Sequence, residues 1–134
     1  MNKKIPYGLH KLDDNDIQAV LDVLKNSSIT QGQNVEDFGQ ALADYAGAKY
    51  GVAVSSGTAA LHLSVVALGI GSGDEVITTP MTFPATTNVI LLQRLKPVFA
   101  DIEPGTLTID PRKIEAKITP RTRAIIPVHF AGHP

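Results

Sequence analysis

Residues 50–69 read YGVAVSSGTAALHLSVVALG: a short β-branched run, a small hydroxyl-bearing turn, and a second apolar run. The first run suits a strand and the second a helix, so the stretch predicts strand, turn, helix. The turn, SSGTAA at 55–60, has two readings. Ser56 can cap the helix by accepting from a first-turn amide. The same free amides can instead hold a phosphate, with Gly57 allowing close approach and Ser56 and Thr58 adding hydroxyls. Taken alone, the stretch leans toward the cap. It is neither a Walker A loop nor GxGxxG, so nucleoside triphosphates and NAD lose support.

Further along, EVITTP (75–80), PVFADI (97–102) and RAIIPVHF (123–130) repeat the apolar, β-branched character. With 50–55 they predict four strands. The intervening TAALHLSVVALG (58–69), ATTNVILLQR (85–94) and DPRKIEAKI (110–118) predict helices. The first of these is apolar nearly all round and reads as a buried helix. The last opens with Asp110 at the N-cap and Pro111 at the first helical position. Strands alternating with helices at this spacing imply an α/β fold with a parallel sheet and right-handed crossovers. The sequence stops at VHFAGHP, just after a strand, with no helix to cover it. Parallel sheets have both faces covered, so the chain reads as the first, truncated part of a larger doubly wound domain.

The amino-terminal third follows a helical period. LDDNDIQAVLDVLKNS (12–27) places Ile17, Val20, Leu21 and Leu24 on one face, with acids in the first turn and Lys25 near the last. NVEDFGQALADYAGA (34–48) does the same through Val35, Phe38, Leu42 and Tyr45, and Gly47 supplies the stop. Between them SSITQGQ is a polar loop.

Composition narrows the function. The 134 residues are 43% hydrophobic and carry 12 basic and 13 acidic side chains, a formal net charge of -1. No basic excess points to a nucleic acid. Without cysteine there is no disulfide and no thiol nucleophile. MNKKIPYG has no apolar region behind its lysines, and no run approaches the roughly 18 apolar residues that span a bilayer. A cytoplasmic protein without a membrane partner is expected.

In a parallel sheet, ligands gather at the carboxyl ends of the strands. There TTPMTFPATTN (78–88) offers Phe83, a flat ring that can stack on a planar cofactor or plug the loop. Asp101 and Glu103 suit a turn better than acid–base work, since no histidine lies near them in sequence. His129 and His133 are four apart but flank a strand end, which speaks against zinc. His62 reads as a satisfied core or interface histidine.

Taken together, GVAVSSGTAALHLSVVALGIGSGDEVITTPMTFPATTNVI (51–90), PVFADIEPGTLTIDPRKIEAKITPRTRAIIPVHFAGHP (97–134) and IPYGLHKLDDNDIQAVLDVLKNSSITQGQNVEDF (5–38) resemble the amino-terminal portion of the DegT/StrS-type nucleotide-sugar aminotransferases. Within that family the likeness is strongest to members that aminate C4 of a UDP-linked 4-keto-6-deoxy-hexose. The resemblance implies the aspartate-aminotransferase architecture (fold type I), with pyridoxal phosphate (PLP) as cofactor. It implies an N-terminal helical segment with a substrate-facing loop over 1–48, and the first part of the PLP-binding α/β large domain over 49–134. It further implies cofactor-phosphate contacts from Ser56, Gly57 and Thr58, and a stacking ring at Phe83. Tyr7 and Thr30 would meet the nucleotide sugar. Glutamate would be the amino donor, and the intact enzyme a homodimer. With the likeness in place, SSGTAA reads as a phosphate cradle that is also a cap.

The family's aspartate for the pyridine nitrogen lies in a DxAx motif, and its Schiff-base lysine in an HxxK-like segment. The resemblance places the first beyond the present carboxyl end and the second further still. The lysines at 3, 4, 11, 25, 49, 96, 113 and 117 stand in no such segment, so no catalytic residue is expected in this chain and it should be inactive alone. Two other readings stay open: a degenerate homologue serving as a dimerisation or regulatory module, and an unrelated α/β phosphate binder.

Overall fold

The computed structural model describes residues 8–134. They divide into two units, one up to Ala53 and one from Val54.

In the first unit, α1 (Asp14–Asn26) starts where its sequence supplies a reciprocal cap. The Asp13 carboxylate accepts from the Asn15 and Asp16 amides at 2.9 and 3.0 Å, and the Asp16 carboxylate accepts from the Asp13 amide at 3.0 Å. Helix α2 (Gln33–Ala46) stops at Gly47, whose φ of 65° is the left-handed conformation glycine adopts without steric cost. Both apolar stripes predicted from the period are present, and every member is exposed on this chain. The residues that α2 does bury are Gly39 and Ala43. Gly39 is required by close approach: a Cβ there would stand 2.7 Å from the Gly51 carbonyl oxygen, and one on Gly51 would strike the Gly39 carbonyl oxygen.

The run 50–55, expected as a first strand, joins no ladder among the described residues. Val52 is 77% exposed. Its β-branched pattern supplies the propensity of a strand, but a strand exists only where another edge accepts its hydrogen bonds. The predicted four strands are therefore three.

The second unit holds those three: β1 (Glu75–Thr78), β2 (Lys96–Phe99) and β3 (Thr122–Ile126), in the order β2-β1-β3 and all parallel. The middle strand is buried along its whole length, and its side chains alternate between two cores. Val76 packs with Val65 of α3 (Gly57–Ala67), Val89 and Ile90 of α4 (Ala85–Leu92), and Leu95. Ile77 packs on the opposite face with Ala100 and Ile109, flanked by Val98 and Ile114. Each fully buried aliphatic side chain contributes roughly 1.5–3 kcal/mol.

Three expectations change in detail. Helix α3 buries Val65 but leaves Leu63, Val66 and Leu68 exposed, because only one of its sides meets α4 and the sheet. The segment 110–118 forms a four-residue helix, α5 (Pro111–Ile114), and then a 3-10 turn (Glu115–Lys117), with Asp110 capping as predicted. Strand β3 ends at Ile126, before Pro127, which lacks the N–H to continue a ladder. His129 therefore precedes a 3-10 turn and does not end a strand.

At the amino end of β1, Glu75 is 2% exposed. Its carboxylate accepts from Thr119 Oγ1 at 2.7 Å, Lys96 Nζ at 3.0 Å and an Arg121 guanidinium nitrogen at 3.1 Å. The Thr119 hydroxyl and then the Lys96 ammonium hold its pKa below the usual carboxylate value. These donors come from β2 and from the segment entering β3, so one carboxylate ties the three strands at one level.

Candidate cofactor site

Helix α3 leads through 68–74 into the amino end of β1, and α4 leads through 93–95 into the amino end of β2. Both helices therefore start toward the carboxyl edge of the sheet, where a parallel α/β fold places its ligands.

Ser56 is extended (φ −166°, ψ 161°) and is the N-cap of α3. Its hydroxyl accepts from the Ala59 amide at 3.1 Å, and its carbonyl accepts from the Ala60 amide at 3.0 Å. The amides of Gly57 and Thr58, the first two of the helix, have no intrahelical acceptor. Both residues are exposed. A Cβ on Gly57 would meet nothing within 4 Å, and its φ is not positive. Neither packing nor backbone conformation requires glycine here. What glycine does provide is unobstructed access to two free amides at the positive end of a helix.

Phe83 stands in the loop between β1 and α4 with 76% of its surface exposed. Pro84 follows at the N-cap of α4, where no side chain caps the helix. The loop backbone is nonetheless bound: the Met81 amide donates to Thr79 Oγ1 at 3.2 Å, and the Thr86 amide to the Phe83 carbonyl at 3.1 Å. The amino terminus of α5 differs from that of α3. Its Arg112 amide donates to Asp110 Oδ1 at 2.9 Å, and the Arg112 guanidinium grips both oxygens of the same carboxylate. The chain's own anion fills that end.

Thr30 lies in the first unit, in an apolar groove of about 440 Å³ bordered by Val20, Leu24 and Val35. Tyr7 lies outside the described residues. Asp101 serves the backbone: its Oδ1 accepts from the Ile102 amide and its carbonyl from the Asp110 amide, both at 2.9 Å. His62 Nε2 and Gln93 Nε2 are 2.7 Å apart, a hydrogen bond in which the amide donates to the ring. Residue-by-residue reading of the sequence did not find the Glu75 cluster, the Gly39–Gly51 approach or the hydroxyl bonds of the Phe83 loop. A charged residue opening an otherwise apolar strand was the one signal available for Glu75.

Residues 10–134 match the DegT/DnrJ/EryC1/StrS aminotransferase family. The chain belongs to that family. Spore coat polysaccharide biosynthesis protein SpsC of Bacillus subtilis is 49% identical over 131 residues, which is 98% of this chain and 34% of SpsC. Among solved structures, Helicobacter pylori PseC, an aminotransferase involved in the biosynthesis of pseudoaminic acid, superposes with a TM-score of 0.90 at 37% identity, over 98% of this chain and 36% of PseC. The PLP form of Spr1654 from Streptococcus pneumoniae gives 0.88 at 35% identity, over 98% of this chain and 34% of that one. The chain thus spans about a third of the length of the relatives it matches. Among the described residues, no helix is long and apolar enough to cross a membrane.

Proposed function

We propose that this chain supplies the phosphate cradle and the stacking ring of a PLP-dependent sugar aminotransferase. In that enzyme, glutamate gives the amino group and a 4-keto-6-deoxy nucleotide sugar receives it. The observation that carries the proposal is Gly57: a glycine that neither packing nor φ requires, before two free amides and at the same sheet edge as an exposed Phe83. PLP, when bound, supplies the electron sink through which the amino group is carried.

The residues of this chain have distinct tasks in that scheme. The Gly57 and Thr58 amides and the Thr58 hydroxyl bind the phosphate, Ser56 orders the helix start, and Phe83 covers one face of the ring. Family membership and the likeness to PseC and SpsC support the nucleotide-sugar assignment. In the first unit, the apolar groove under Thr30 suits an uncharged portion of such a substrate better than its phosphates. None of the chain's lysines takes the covalent role; Lys96, for example, is engaged by Glu75.

Pyridoxamine phosphate is the suitable probe, because its amine cannot condense with surface lysines. Its own fluorescence anisotropy should rise on titration with the chain, and inorganic phosphate should reverse the rise. Phe83→Ala should weaken binding about two- to tenfold, the range of an aromatic stacking contact. No anisotropy change at any concentration would sink the proposal. Borohydride treatment with PLP should leave every lysine substoichiometrically modified, and one lysine modified to completion would overturn the assignment of an inactive chain.

A second reading, a dimerisation or regulatory module, draws on the exposed stripes Ile17–Leu24 and Val35–Tyr45. A monodisperse monomer in sedimentation would remove it.

A further inference from the structure

The Phe83 ring is exposed, yet the backbone that carries it is not free. Thr86, 5% exposed in the first turn of α4, ties down two adjacent positions. Its amide donates to the Phe83 carbonyl at 3.1 Å, and its hydroxyl pairs with the Thr82 hydroxyl at 2.8 Å. The Asn88 amide holds the Pro84 carbonyl at 2.9 Å. Residues 82, 83 and 84 are thus each bound to the start of α4, although α4 has no side-chain cap of its own. On the strand side, Thr79 is fully buried and its hydroxyl accepts from the Met81 amide at 3.2 Å.

We propose that the Thr82–Thr86 hydroxyl pair positions Phe83 for stacking on the cofactor ring. This inference rests on the stacking role proposed above. A ring on a slack loop would lose conformational freedom on stacking, whereas a ring on a pinned backbone has already lost most of it. Neither threonine touches the cofactor in this scheme; both act through Phe83.

The test uses the whole chain and pyridoxamine phosphate anisotropy. Thr86→Val keeps the side-chain shape and removes the hydroxyl, and should raise the Kd about three- to tenfold, the effect of one hydrogen bond. Thr86→Ser keeps the hydroxyl and should bind like the parent. The double variant Thr82→Val/Thr86→Val leaves no unpaired hydroxyl and guards against misfolding. It should match Thr86→Val in binding while its thermal midpoint stays closer to the parent's. Equal affinity in Thr86→Val and the parent, with Phe83→Ala weakened, overturns the positioning role alone. The role is also overturned if Thr86→Ser loses as much as Thr86→Val. Parent-like binding by Phe83→Ala overturns the stacking role and the positioning role together.

Discussion

The two ends of the four-residue strand β1 are built to opposite rules. At the amino end, Glu75 is buried and has a donor from β2 and two from the approach to β3. At the carboxyl end, helix α3 presents free amides, and Phe83 presents a ring that packs little of its surface on this chain. One end satisfies its polar groups internally and holds the strands in register. The other leaves polar and apolar groups unsatisfied, which makes it able to bind. The contrast continues within the carboxyl end, where α5 fills its amino terminus with Asp110 and α3 does not.

The largest effect is expected at Glu75. Glu75→Gln keeps the shape and removes the charge, so it should lower the thermal midpoint more than any substitution at Ser56, Gly57 or Phe83, with pyridoxamine phosphate binding unaltered. The sign with pH follows from the depressed pKa. The carboxylate's stabilisation is fully present above the ordinary glutamate pKa of the unfolded chain. It disappears as pH falls through the lower folded-state value. The parent should therefore lose stability across that acid window, and Glu75→Gln should show a flatter acid limb. A loss of binding in step with the loss of stability would mean that the two ends are not separable.

How much of this could be read beforehand depended on distance along the chain. Helices α1 and α2 were legible through their apolar period, and the end of α2 through Gly47, which acts within its own turn. SSGTAA and Phe83 were legible as motifs. The Glu75 cluster was not, since its partners stand 21, 44 and 46 residues away. The Gly39–Gly51 approach was hidden for the same reason: each glycine looks ordinary until the other backbone is beside it. The run 50–55 was over-read because β-branching records a preference for pleated surroundings and says nothing of whether a neighbouring edge exists.

A smaller effect separates cap from cradle. Ser56→Ala removes the acceptor of the Ala59 amide and should cost about 1 kcal/mol in chemical denaturation. It also leaves a third amide free at the same helix end. Inorganic phosphate should therefore recover more stability in Ser56→Ala than it adds to the parent, as expected when a ligand binds only the folded chain. If phosphate stabilises neither protein, the start of α3 is a cap and nothing more.

The smallest change in stability gives the sharpest division between the ends. At Gly57 a methyl group meets nothing within 4 Å, and the backbone there is not in the left-handed region. Gly57→Ala should leave the fold intact and gain up to about 0.5 kcal/mol, because alanine loses less backbone freedom than glycine in a helix. The same methyl stands in front of the amides of Gly57 and Thr58, so phosphate and pyridoxamine phosphate should both bind more weakly. A chain that becomes slightly more stable while binding less has its glycine selected by a ligand and not by the fold. If Gly57→Ala binds both anions like the parent, the anion does not approach α3 at that residue, and Gly57 is not what opens this helix end to a ligand.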